Sequence, residues 1–282
     1  MNKTPIEWTD FTSNPIKARR QLTPASKVNV GHYCEKISPG CSACYASRLQ
    51  KRFGMPTFDA RDPSIEPFLD EAELQKLLKR RKPCKVFLGD MTDIFGYWVP
   101  DEWLDKIFAV MALTPHVTYQ VLTKRSKRMR EYWSTPERVY RIGVGAENLF
   151  HSRNLLGVLS KQDRLRIRDL SSRCWGYRED GESVEKMRLP LPNVHLGVSA
   201  ENQQYADERI PDLLQTPAAV RFVSYEPALG PVDFSGLNAH YPERPVLLDL
   251  APWSLRHEKR MCRVREWRTD GSPEVSSRDD YP

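Results

Sequence analysis

The stretch that decides the fold runs from Cys84 to Arg125. Cys84-Lys85-Val86-Phe87-Leu88 leads into Gly89-Asp90-Met91-Thr92-Asp93, Pro100-Asp101 opens a helix, and Val117-Thr118-Tyr119-Gln120-Val121-Leu122 runs into Thr123-Lys124-Arg125. A short apolar run bounded by turn residues reads as a buried strand. Between the two runs Trp103, Leu104, Ile107, Phe108 and Met111 recur at helical spacing until Pro115 stops the pattern. Strand, polar turn, helix and strand make the unit of a parallel sheet, because parallel neighbours need a long crossover.

Towards the C-terminus, Arg141–Asn148 and Val194–Asn202 share the pattern Gly-Val-x-Ala-Glu-Asn, and both read as strands. Asp207–Leu214 reads as a short helix, and Val220–Pro227 as the next strand, closed by Pro227 and Gly230. The highly charged stretch 160–190, with Cys174 in a Gly-containing loop, reads as part of an insertion over about 150–190. Towards the N-terminus, 70–82 reads as a helix, apolar at Leu74, Leu77 and Leu78, that ends in Lys79-Arg80-Arg81-Lys82 before Pro83. Tyr45–Phe53 reads as a helix closed at Gly54, residues 17–30 as a polar loop, and 5–16 as a short strand and turn.

Polar groups recur where these strands end: Asp90 and Asp93, Thr123 and Lys124, Ser199, Glu201 and Asn202, Ser224 and Glu226. Each alone is an ordinary cap or turn former. Together they match the way β/α barrels build active sites from the C-terminal ends of several strands.

The second informative stretch is His32-Tyr33-Cys34-Glu35-Lys36-Ile37-Ser38-Pro39-Gly40-Cys41-Ser42-Ala43-Cys44-Tyr45-Ala46. Cys34, Cys41 and Cys44 stand at C-x6-C-x2-C, and Pro39-Gly40 forces a turn before the second. Soft sulfur ligands select zinc or iron–sulfur. A structural zinc site wants four ligands, with His32 or Cys84 as candidates, whereas a cubane held by three thiolates leaves one iron open. Disulfides remain a third option. They are disfavoured because Met1–Asp10 lacks the apolar core of a secretory signal, which places the chain in a reducing, cytoplasmic setting.

No apolar run reaches the length of a membrane span. The net charge of +6 and a pI near 9.0 permit a nucleic-acid partner without demanding one. The basic runs Lys79–Lys82 and Lys124–Arg130 are the visible places for phosphate contact. Twenty-two Pro and 14 Gly in 282 residues cut the chain into many short elements.

At Cys34, Cys41 and Cys44 the chain resembles the radical S-adenosylmethionine (SAM) enzymes. More closely, it is similar to a phage- and prophage-encoded three-cysteine family of radical-SAM-like proteins. The matching stretches are Ile6-Glu7-Trp8-Thr9-Asp10, Ile37-Ser38-Pro39-Gly40-Cys41, Val99-Pro100-Asp101-Glu102, Phe108–Ala112, Gln120–Arg125, Leu196-Gly197-Val198-Ser199 and Glu226–Pro231. They span about residues 5–235. The spacing departs from the superfamily's usual C-x3-C-x2-C, and Ala43 replaces its aromatic before the third cysteine, with Tyr45 just after it.

The resemblance implies an α/β fold, a partial TIM-like (β/α) barrel over 1–236, followed by a divergent tail over 237–282. It implies a [4Fe–4S] cluster on Cys34, Cys41 and Cys44, whose open iron takes the amino and carboxylate groups of SAM. It also implies reductive cleavage of SAM to a 5′-deoxyadenosyl radical, with flavodoxin or ferredoxin as reductant and nucleic acid as a substrate for modification or repair. By position, Gly89, Asp90 and Asp93 are expected at the methionine amino group and Lys124 or Arg125 at its carboxylate. Ser199, Glu201 and Asn202 are expected at the ribose, and Glu226 at SAM or substrate. The competing readings are a zinc-stabilised nucleic-acid-binding module and a degenerate barrel that binds a cluster without cleaving SAM.

Overall fold

The computed structural model describes residues 1–21, 27–52, 64–151, 159–178, 180–234, 246–249 and 260–266. The N-terminal part carries β1 (Asn2–Lys3), β2 (Phe11–Ser13), β3 (Ile16–Arg20), β4 (Asn29–Gly31), a 3-10 turn (Pro39–Ala43), α1 (Tyr45–Arg52), β5 (Ile65–Leu69) and α2 (Glu71–Leu78). The central part carries β6 (Cys84–Leu88), α3 (Asp101–Leu113), β7 (Val117–Thr123), α4 (Ser126–Trp133), α5 (Arg138–Phe150) and α6 (Lys161–Trp175). Then follow β8 (Val194–Ser199), α7 (Gln203–Gln215), β9 (Val220–Tyr225), β10 (Val246–Asp249) and β11 (Arg260–Glu266).

The fold is mixed α/β with a mostly parallel main sheet, in the order β1-β2-β6-β7-β8-β9-β11-β10. The ladders from β2 through β6, β7 and β8 to β9 are parallel, and β1, β11 and β10 add antiparallel edges. A small antiparallel sheet, β4-β3-β5, stands beside it. The five parallel strands lie side by side in chain order, so successive right-handed crossovers lay their helices on one face. On that face Val86, Leu88, Tyr119, Val121, Leu196 and Val198 pack in one core with Leu104, Phe108 and Met111 of α3 and Ile210 and Leu213 of α7. The opposite face carries Phe87, Gln120 and His195, paired in register across three strands. Trp8 covers part of it, its ring centroid 4.7 Å from that of Phe87, while Gln120 Nε2 donates to the Trp8 carbonyl at 3.1 Å.

The expected strand at Arg141–Asn148 is instead the middle of α5. Its buried residues Ile142, Ala146 and Leu149 follow helical spacing, and all are 0% exposed. The two glycines serve helix packing: a Cβ on Gly145 would stand 2.6 Å from the Asp105 carbonyl carbon, and one on Gly143 2.7 Å from Cys174 Cβ. The shared Gly-Val-x-Ala-Glu-Asn pattern therefore marks close packing in a helix once and a strand end once. Gly145→Ala is expected to destabilise the protein by about 1–3 kcal/mol despite alanine's better helix propensity, because the α3 backbone cannot yield. A urea titration of the variant checks this.

Cys174 lies within α6, buried, rather than in a loop. The polar 17–30 segment contains β3 and β4, and α2 stops at Leu78, so Lys79–Lys82 follow the helix. Helix α7 starts four residues before the expected Asp207, capped by Asn202. Gly54 lies outside the described residues. A buried ion cluster joins the central helices: Arg138 donates to Asp105 at 2.6 Å and Asp101 at 3.0 Å, and Tyr132 donates to Asp105 at 2.9 Å. Among the described residues no helix is long and apolar enough to cross a membrane.

Candidate functional site

Parallel strands end on the same side of a sheet, so β2, β6, β7, β8 and β9 deliver the residues that follow them to one edge. After β6, Gly89 turns the chain with φ +80, where a Cβ would stand 2.8 Å from the Thr92 carbonyl oxygen. Its amide donates to the Ser13 carbonyl of β2 at 2.9 Å. Asn14 then braces the turn from both sides: Nδ2 donates to Asp90 Oδ1 at 2.6 Å, and Oδ1 accepts from the Met91 amide at 2.9 Å. Burial pushes the Asp90 carboxyl above its ordinary value.

Asp93 accepts four hydrogen bonds, from Thr123 Oγ1 at 2.7 Å, the Lys124 and Phe95 amides at 3.0 Å, and Arg125 Nη1 at 3.1 Å. It locks the end of β7 to the β6 turn. The Arg125 guanidinium also reaches the Glu35 carbonyl at 3.1 Å and lies 4.7 Å over the Trp98 ring, which meets Tyr33 edge-on at 4.8 Å. Arg125 thus pins the start of the cysteine loop.

Glu201, after β8, is 0% exposed and anchors the other end of that loop. Its carboxylate accepts from Ser38 Oγ at 2.7 Å, from the Gly40 amide at 3.3 Å and from Lys124 Nζ, with Arg209 Nη1 at 3.7 Å. Burial alone would raise the Glu201 carboxyl, but the bonds from Lys124 and Ser38 outweigh it and hold the pKa below the ordinary value. The loop approaches so closely that a Cβ on Gly40 would stand 2.6 Å from Glu201 Cδ and 2.8 Å from Pro227 Cδ. Pro227 follows a cis peptide bond with Glu226, directly after β9.

The three cysteines therefore sit over the strand ends, and all are free thiols. Cys34 is exposed, yet its thiol is pushed up to about 11, first by the protein crowded around it and then by the Asp93 carboxylate. Cys41 lies in the 3-10 turn that Ser38 and Pro39 begin, and Cys44 closes it. Burial raises the Cys41 thiol, but Ser38, whose Oγ is 3.5 Å from Sγ, and Lys124 bring its pKa below the ordinary value. Tyr45 Oη donates to the Asp90 carbonyl at 2.8 Å and fixes the start of α1. In the metal-free protein at pH 8, iodoacetamide is expected to alkylate Cys41 well ahead of Cys34, because the thiolate is the nucleophile. Peptide mapping after timed quenching checks the order.

The donor chemistry fits a thiophilic metal or cluster: three free thiols on one loop pinned at both ends. Among the described residues no group of three or more His, Cys, Asp or Glu stands close enough to hold a metal ion as placed. Cys84 begins β6 and so lies at the far end of that strand, away from the loop. His32 faces β3, and burial, then Lys17, lowers its pKa.

Lys124 and Glu201 are brought together with the cysteine loop, Asp93 with Arg125 and Cys34, and Asp90 with Tyr45. Asn202 is not brought in: its Oδ1 accepts from the Tyr205 amide at 3.2 Å as the α7 cap. Ser199 is buried, and its carbonyl accepts from Arg209 at 2.9 Å. Glu226 is half-buried near Tyr45, whose hydroxyl pKa it helps to raise. Sequence reasoning missed Asn14, Ser38 and Trp98. Ser38-Pro39-Gly40 was the readable signal, an extended residue, a helix-opening proline and a close-approach glycine.

No curated protein and no solved structure matches the chain. Residues 3–242 match the family described as "Protein of unknown function (DUF5131)". Since that match covers most of the chain, the protein belongs to the DUF5131 family.

Proposed function

We propose that the chain is a radical-SAM-type iron–sulfur enzyme built on a partial β/α barrel. The observation that carries this reading is the docking of the three-cysteine loop onto the strand ends, through Glu201 at one end and Arg125 at the other. The barrel reading is supported by five parallel strands in chain order with helices on one face, which leaves the other face free to curve around Trp8. Cys34, Cys41 and Cys44 would hold three irons of a [4Fe–4S] cluster, and SAM would take the fourth. When bound, that pair supplies one-electron cleavage of SAM and a carbon radical able to abstract hydrogen; the protein supplies binding and orientation.

The residues divide the work. Ser38, Lys124 and Glu201 seat the loop, so Lys124 and Glu201 act as positioning residues rather than as contacts to SAM. Tyr33, Trp98 and Arg125 brace the Cys34 end of the loop. Asp90 and Glu226, both near Tyr45, are carboxylates on the Cys44 side of the loop. The zinc reading loses support because Cys84 lies at the opposite end of β6.

Anaerobic reconstitution with iron and sulfide, followed by metal and sulfide analysis, tests the proposal. About four irons and four sulfides per chain are expected. Tight stoichiometric zinc with no bound iron would contradict it.

A further inference from the structure

Of the two basic runs visible in the sequence, Lys124–Arg130 is largely neutralised in the fold, and Lys79–Lys82 is neutralised at Arg81. Within Lys124–Arg130, Lys124 pairs with Glu201, Arg125 with Asp93, Arg128 with Asp101 and Arg130 with Asp212. In the other run Arg81 pairs with Asp163, and the run precedes β6, so it lies at the end of the sheet opposite the cysteine loop. Helix α1 is the reverse case. It leads directly away from Cys44, buries Ala46 and Gln50, and turns Arg48, Lys51 and Arg52 outward at i, i+3 and i+4. The helix contains no acidic residue, and with Lys36 of the loop these cations are exposed. Among the described residues none of the four has an ion pair. On the Cys34 side, next to the Trp98 that carries Arg125, Tyr97 stands 67% exposed.

We propose that Lys36 and the outward face of α1 form a phosphate-tracking surface that brings single-stranded nucleic acid to the cysteine loop, with Tyr97 as a base-stacking platform. Unpaired cations in a row attract a polyanion, whereas those already matched to carboxylates do not. Chemistry on a base needs that base out of the stack, and an exposed aromatic beside a basic surface is how unpaired bases are held. The inference rests on the proposed reading only in placing the chemistry at the cysteine loop.

Fluorescence anisotropy of the metal-free full chain with a labelled single-stranded DNA of about 20 nucleotides, at about 50 to 200 mM salt, tests it. Arg48→Glu/Lys51→Glu/Arg52→Glu is expected to weaken binding at least about tenfold and to reduce the salt slope by roughly two. Lys79→Glu/Lys82→Glu, at the far end of the sheet, is expected to bind as the wild type does, and Tyr97→Ala about fivefold more weakly. Equal binding by the triple variant overturns the proposal. So does a duplex of the same length binding as tightly with Tyr97→Ala silent, and so does poly-L-glutamate binding as tightly as the oligonucleotide, which would make the surface an acidic-protein site. Because no metal is present in this assay, its failure leaves the cluster reading standing. Failure of iron reconstitution leaves this surface standing.

Discussion

Cys41→Ala is expected to abolish cluster assembly: iron after anaerobic reconstitution should fall from about four per chain to well below one. The fold should survive, because Cys41 is a half-buried thiol in a turn held by Ser38, Gly40 and Glu201. The matching control is Cys174→Ala. Cys174 of α6 is 4% exposed where it packs on Gly143 of α5, and burial pushes its thiol up to about 12. Its loss should cost about 1–2 kcal/mol of stability through the cavity it leaves, with iron content unchanged. Thermal melts and iron analysis on both variants separate the metal-binding cysteine from the structural one.

Glu201→Ala is expected to cost about 3 kcal/mol, the scale for removing one member of a buried ion pair. Lys124 is 21% exposed and can turn to water, but Arg209 is 1% exposed and would keep the Ser199 carbonyl and the Tyr205 ring with no carboxylate to answer its charge. The effect should concentrate in the loop: hydrogen exchange over residues 36–44 should speed up by more than tenfold while the amides of β7 stay protected. Glu201→Gln should fall between, since an amide still accepts from Ser38 but no longer answers the charge of Lys124. The Glu201 pKa is lowered in the fold, so its contribution is present above the unfolded carboxylate value near 4.5 and fades as pH falls through the lower folded value. Acid unfolding of the wild type should therefore be steeper below about pH 4.5 than that of Glu201→Gln. Unchanged loop exchange in a folded Glu201→Ala would remove its role as the anchor.

The strands β6, β7, β8 and β9 were legible because each is a short apolar run stopped by turn residues, and the polar groups at their ends do share one edge. Local pattern failed where packing decided. Ile142–Ala146 has the residues of a strand, but the glycines that imitate a strand end let α5 lie against Asp105 and Cys174. The polar 17–30 segment concealed β3 and β4 because strands of a small side sheet need no apolar run. At the site, Cys34, Cys41, Cys44, Lys124 and Glu201 could all be picked out singly. Their connection could not: Ser38 and Glu201 are 163 residues apart, and no local rule pairs a serine before a proline with a carboxylate after a distant strand. The pairing of Arg81, Arg128 and Arg130 was hidden for the same reason, since their counter-charges Asp163, Asp101 and Asp212 lie far along the chain on other helices.

Electron paramagnetic resonance of the reduced, reconstituted protein, recorded with and without SAM, tests the open-iron site most directly. A cubane signal that shifts on adding SAM, and is missing in Cys41→Ala, is the expected result. A cluster signal indifferent to SAM, or no signal and bound zinc, would contradict it.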